Sequence, residues 1–138
     1  MMGRIIAVDF GDARTGVAVS DLTGTMAGET LTIHEWNAER LAQRLAFFAK
    51  ERDCELFVLG LPRNMDGTEG PRAEKARQFA AMLEESSGVP VTLWDERRST
   101  IEAHSILHAA GKKEKKHRAS VDAVAASLLL ESYLDSRK

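Results

Sequence analysis

Cysteine occurs once in this sequence, as Cys54, so neither an internal disulfide nor a cysteine zinc cluster can be built. Its neighbours Leu56 and Phe57 give it the setting of a small apolar residue rather than of a nucleophile. A single thiol fits a reducing, cytoplasmic compartment. Long hydrophobic runs are missing too: nowhere do about eighteen apolar residues follow one another, so no membrane-spanning helix is expected. The opening Met1-Met2-Gly3-Arg4-Ile5-Ile6 passes straight into a strand-like pattern, without a signal-peptide cleavage region. An excess of one charge is also absent. The 19 Lys and Arg face 21 Asp and Glu, a net charge of −2, which gives the whole chain no general attraction to polyanions. The distribution says more than the sum. Residues 112–118 hold five Lys or Arg, His117 and a single Glu, and read either as a solvated basic loop or as a phosphate-contacting one.

What is present suffices for a core. With 43% hydrophobic residues in 138, the sequence predicts one domain spanning 1–138. Arg4 to Phe10 reads as a buried strand, Gly16 to Ser20 as a short second one, and Glu29 to His34 as an alternating third. Short turns between them make an antiparallel meander. After Asn37, a capping residue, Leu41, Leu45, Phe48 and Ala49 recur at helical spacing to about Arg52. Leu56 to Leu61 is a fully apolar strand stopped by Pro62, and residues 63–70 form a polar loop. Pro71 suits a first helical position, with Ala76, Phe79, Ala80 and Leu83 forming a stripe that Gly88 ends. Val89 to Trp94 is the fifth strand. Ser99 and Glu102 resemble a capping box for a helix ending at Gly111. A last helix from about Ser120 is apolar almost all round, as a buried helix is. Helical crossovers make strands one, four and five parallel. The fold class is therefore α/β: a mixed five-stranded sheet, three-stranded antiparallel meander plus parallel strands, with helices on both faces.

In open α/β sheets, ligands gather at the carboxyl ends of the parallel strands. Asp9 ends the first strand after four apolar residues, where a carboxylate is costly to ionise unless a cation or hydrogen-bond donors compensate. Asp95-Glu96-Arg97 ends the fifth strand, and Asp122 falls in the first turn of the last helix. Three converging carboxylates suit Mg²⁺ or Mn²⁺, hard cations that take oxygen ligands and serve phosphodiester cleavage. Each residue also has a plainer role. Asp9 could cap a turn, Glu96 could lie on the surface beside Arg97 and Arg98, and Asp122 could favour its helix dipole. Adjacent strand residues face opposite sides, so only one of Asp95 and Glu96 can share the site. His34, His104, His108 and His117 lack a ligand spacing, and Trp36 and Trp94 are expected to anchor the core.

Gly3-Arg4-Ile5-Ile6-Ala7-Val8-Asp9-Phe10-Gly11, followed by Arg14-Thr15-Gly16-Val17-Ala18-Val19-Ser20-Asp21, resembles the opening motif of the YqgF/RuvX family. Gly60-Leu61-Pro62 with Met65-Asp66-Gly67-Thr68-Glu69-Gly70-Pro71-Arg72-Ala73 is similar to its central signature. Asp95-Glu96-Arg97 with Ser99-Thr100, and Asp122-Ala123-Val124-Ala125-Ala126 before Tyr133-Leu134-Asp135, match its last two motifs. Arg98 stands where the family usually carries leucine.

The resemblance implies an RNase H-like fold related to Holliday-junction resolvases. It also implies a metal-dependent nuclease that processes the 5′ end of precursor 16S rRNA on ribosomal precursor particles. It assigns Asp9, Glu96 and Asp122 as catalytic metal ligands, and Arg14, Arg63, Arg72 and Arg97 as candidates for substrate phosphates, which guanidinium geometry suits. Two alternatives remain: a resolvase of branched DNA, which would need a symmetric dimer, and a non-catalytic RNA-binding assembly factor. Asp9-Phe10-Gly11 with Gly16 is also similar to the phosphate loop of actin-like sugar kinases. Those enzymes close two such domains over ATP, and this length accommodates one.

Overall fold

Two apolar runs, residues 5–8 and 56–61, lie side by side as parallel strands buried on both faces. The computed structural model describes residues 3–21, 27–95 and 118–137. Its strands are β1 (Arg4–Asp9), β2 (Arg14–Ser20), β3 (Ala27–His34), β4 (Cys54–Leu61) and β5 (Val91–Asp95). Its helices are α1 (Ala38–Glu51), α2 (Pro71–Ser87) and α3 (Arg118–Ser136). The sheet order is β3-β2-β1-β4-β5. β1 pairs antiparallel with β2, and β2 with β3, while β4 runs parallel to both β1 and β5. The expected mixed sheet is present. The helix expected between Ser99 and Gly111 and the basic segment 112–117 lie outside the described residues, as do Glu96, Arg97 and Arg98.

Alternation along the strands sorts side chains into two layers. Ile6, Val8, Val17, Val19, Phe57, Leu59 and Leu61 face one side, where Leu41, Leu45, Ala49, Ala76, Phe79 and Leu83 of α1 and α2 cover them. Ile5, Ala7, Ala18 and Val58 face the other, against Ala126, Leu129, Leu130 and Leu134 of α3. The second face is built from smaller side chains, so a helix backbone can approach the sheet closely. A fully buried side chain such as Leu59 contributes about 2–3 kcal/mol of transfer free energy.

Local chemistry sets the element ends. Asn37 caps α1 by accepting from the Arg40 N–H at 3.0 Å. Pro71 opens α2, and Gly88, left-handed at φ 70°, closes it with its N–H on the Glu84 carbonyl. β5 begins at Val91 rather than Val89, because Pro90 has no N–H to donate; its carbonyl instead accepts from Phe57 N at 2.9 Å. β2 begins at Arg14 rather than Gly16, since Arg14 already pairs with His34 across the ladder.

Cys54 starts β4, and its thiol donates to the Leu56 carbonyl at 3.2 Å. Burial pushes this thiol up to about 11. Only the thiolate attacks disulfide reagents, so at pH 8 about one Cys54 in a thousand is reactive, against roughly a quarter for an ordinary thiol. Labelling of the native chain with an aromatic disulfide at pH 8 is expected to run about a hundredfold slower than in denaturant. Equal rates would show the thiol to be open.

Candidate active site

The carboxyl end of β1 is where the sheet turns from apolar to acidic. Ile5 and Ala7 face α3, and Asp9, two residues further along the pleat, follows them to that face. The cross-strand partner of Asp9 on β2 is Gly16. On β4, the residue after the Val8–Leu59 pair is Gly60, which pairs in turn with Trp94 of β5. Glycines therefore stand at the cross-strand positions on both sides of Asp9. With no Cβ at either cross-strand position, the two neighbouring backbones leave room there for a hydrated divalent cation, which takes carboxylate oxygens and keeps several waters.

The turn that carries the chain from β1 into β2 is narrow. A Cβ on Gly11 would lie 2.1 Å from the Arg14 carbonyl oxygen. Thr15, fully buried, accepts from the Gly11 N–H at 3.3 Å through its hydroxyl. These contacts fix the backbone immediately after Asp9.

Of the adjacent pair at the end of β5, Asp95 follows Val91 and Leu93 toward α1 and α2, the face opposite Asp9. Trp94 faces α3, where its indole N–H donates to Ser132 at 3.0 Å and its ring meets Tyr133 edge-on. Trp94 is thus a packing residue, as expected. Trp36 is not: it is 82% exposed, in the short connection between β3 and α1. The expectation of a core anchor there is corrected. Trp36 precedes the capping Asn37 outside the helix's apolar stripe, so no buried face is available to it.

The arginines are placed unequally. Arg14 starts β2, which runs antiparallel and so brings it to the edge where β1 ends. Arg63 lies in the β4–α2 connection, 3.5 Å from Glu69. Arg77 holds Glu69 through two hydrogen bonds of 2.8 Å and keeps its carboxyl below the usual carboxylate range. The loop is thereby tied to α2. Arg72, in the first turn of α2, stands 3.7 Å from Asp12, and Lys75, one turn on, stands 3.5 Å from it. Sequence reading missed Lys75 and Asp12; the three-residue step from Arg72 to Lys75 on an exposed helix face was the available signal. Among the described residues no three His, Cys, Asp or Glu are close enough to hold a metal ion. Glu96 and Arg97 lie outside those residues, and of Asp122 only the backbone, within α3, is described.

A family model described as RuvX: Holliday junction resolvase matches residues 3–136. The chain belongs to the RuvX family. Among relatives, a protein of Geobacillus thermodenitrificans named "Putative pre-16S rRNA nuclease" is 44% identical over 137 residues, covering 98% of this chain and 99% of its own. One of the same name from Geobacillus sp. is 42% identical at the same coverage. Among solved structures, Thermus thermophilus RuvC in complex with a Holliday junction substrate superposes with a TM-score of 0.64 at 13% identity, over 98% of this chain and 95% of that one. The fowlpox virus resolvase bound to Holliday junction DNA gives 0.61 at 15% identity, over 97% and 98%. The RuvX chain therefore has the RNase H-like fold anticipated from its motifs.

Proposed function

We propose that this RuvX protein is a divalent-metal-dependent nuclease that hydrolyses phosphodiester bonds during maturation of the 5′ end of precursor 16S rRNA. The observation that carries the chemistry is Asp9, aimed to the α3 face between Gly16 and Gly60. The names of relatives above 40% identity over nearly the whole chain favour precursor rRNA as substrate. Asp9, Glu96 and Asp122 form the ligand set in this reading. Asp95 follows Val91 and Leu93 to the face opposite Asp9, which argues against it as a ligand. Mg²⁺ or Mn²⁺ held there would polarise the phosphoryl oxygens and supply a hydrolytic nucleophile at neutral pH. Arg14, Arg63 and Arg72 stand at the same edge to take flanking phosphates, with Arg97 as a fourth candidate. Ribosomal precursor particles in the cytoplasm are the setting this reading requires. No helix among the described residues is long and apolar enough to cross a membrane.

The likeness to junction-bound resolvases gives a second reading, cleavage of branched DNA. A Mg²⁺ and Mn²⁺ titration with a precursor-16S 5′ fragment and a four-way DNA junction separates the two. Metal-dependent cutting of the RNA at rates at least tenfold above the junction is the expected result. Cutting of the junction alone would overturn the rRNA assignment, and binding of RNA without cleavage at any metal concentration would leave a non-catalytic assembly factor.

A further inference from the structure

A cavity of about 220 Å³ opens beside the β1–β2 turn, on the side of the sheet away from the Asp9 carboxylate. Its apolar walls come from Phe10, Phe79, Met82 and the exposed Trp36, and Gln78 and Lys75 bring polar groups to it. Phe10 and Phe79 stack flat on each other, with centroids 4.3 Å apart and planes 2° from parallel. We propose that this cavity is a nucleobase subsite, in which one unpaired base of the substrate strand stacks on Trp36. The proposal rests on the nuclease reading for its ligand class.

Three features select a base. A base has two apolar π-faces and a polar rim, and a flat aromatic pocket with one exposed indole suits the faces. Gln78 suits the rim: its Nε2 donates to Glu74 at 3.3 Å, and its carbonyl oxygen accepts no hydrogen bond among the described residues. That oxygen can accept from the exocyclic amino group of adenine, guanine or cytosine. Lys75 lines the cavity, and Arg72 joins it within 4 Å of Asp12, so an arriving phosphate would find two cations sharing one carboxylate. The other acid of the cavity, Glu35, is paired with Arg44 at 3.4 Å. Position completes the case. Asp9 and Phe10 are consecutive and face opposite sides of the sheet, so a strand bent round this edge can present a phosphodiester to one and a neighbouring base to the other.

The test is equilibrium binding of a ten-nucleotide oligoadenylate carrying one 2-aminopurine, in EDTA so that nothing is cut. The intact chain is expected to quench the 2-aminopurine, as stacking does. Trp36→Ala, at a position too exposed to disturb the core, is expected to weaken binding about 5- to 100-fold and to abolish the quenching. Trp36→Phe is expected to restore most of both. Equal affinity and quenching in the wild type and Trp36→Ala would overturn the subsite, with the surface then left to a protein partner. The subsite and the nuclease reading can fail separately. A Trp36→Ala chain that still cleaves with unchanged KM removes only the subsite. A wild-type chain that binds the oligonucleotide through Trp36, yet cuts no nucleic acid, removes only the nuclease.

Discussion

An Asp9→Asn chain is expected to lose cleavage by about a thousandfold or more, a rise of about 4 kcal/mol in the activation barrier, while folding as the wild type does. The substitution keeps the volume of the side chain and removes its negative charge. Two measurements check this. Single-turnover cleavage of the precursor fragment reports the chemistry. Melting temperature against added Mn²⁺ reports the ion itself, since a ligand that binds only the native state raises stability in proportion to the logarithm of its concentration. The wild type should melt at rising temperatures as Mn²⁺ is added, and the variant should not. Undiminished cleavage by the variant would remove Asp9 from the site.

Gly11→Ala is expected to damage both stability and activity, although it adds one methyl group. The new Cβ would meet the Arg14 carbonyl oxygen at 2.1 Å, and a backbone atom inside a two-stranded ladder cannot step aside as a flexible side chain can. The turn has to open. Opening it pulls the Gly11 N–H from the buried Thr15 hydroxyl, so overpacking and a lost hydrogen bond combine to about 2–5 kcal/mol. Asp9 lies two residues upstream. A displacement of about 1 Å there costs roughly a hundredfold in rate. Gly28→Ala in β3 is the control: its Cβ would approach nothing nearer than the Val19 carbonyl at 3.4 Å, and stability should change by less than about 0.5 kcal/mol. Denaturant melts of the two variants, followed by cleavage assays, test the pair. Equal losses in both, or none in Gly11→Ala, would place the constraint elsewhere.

The sheet was readable because its strands carry period-two or continuous apolar patterns that few other structures accept. Residues 5–8 and 56–61, buried on two faces, could only be interior strands, and the helical crossover between them forces them parallel. Asn37, Pro71 and Gly88 marked helix ends through chemistry local to the chain. What stayed hidden was three-dimensional. Nothing in sequence spacing tells Asp95 from Glu96; only the packing of Val91 and Leu93 toward α1 and α2 shows which side Asp95 takes. Trp36 looked like core by composition, and its exposure follows from its place in a connection with no apolar face behind it. The pairing of Arg77 with Glu69 joins residues eight apart across a loop–helix junction, a spacing that no periodic rule anticipates. Asp9 and Arg14 come to one end of the sheet through the β1–β2 register, Arg63 follows β4 there, and Arg72 of α2 reaches it beside Asp12.

The layer beneath α3 has a kinetic consequence. Ile5, Ala7 and Ala18, near the start of the chain, are covered by Ala126, Leu129 and Leu130, near its end. Contacts of such long sequence separation demand closure of a large loop before they return any free energy, and so they form late. On a translating ribosome, β1 to β4 can assemble under α1 and α2 while the opposite face of the sheet still waits for its cover. Asp9 belongs to that late face, so the proposed hydrolytic centre would be completed only as the last helix docks.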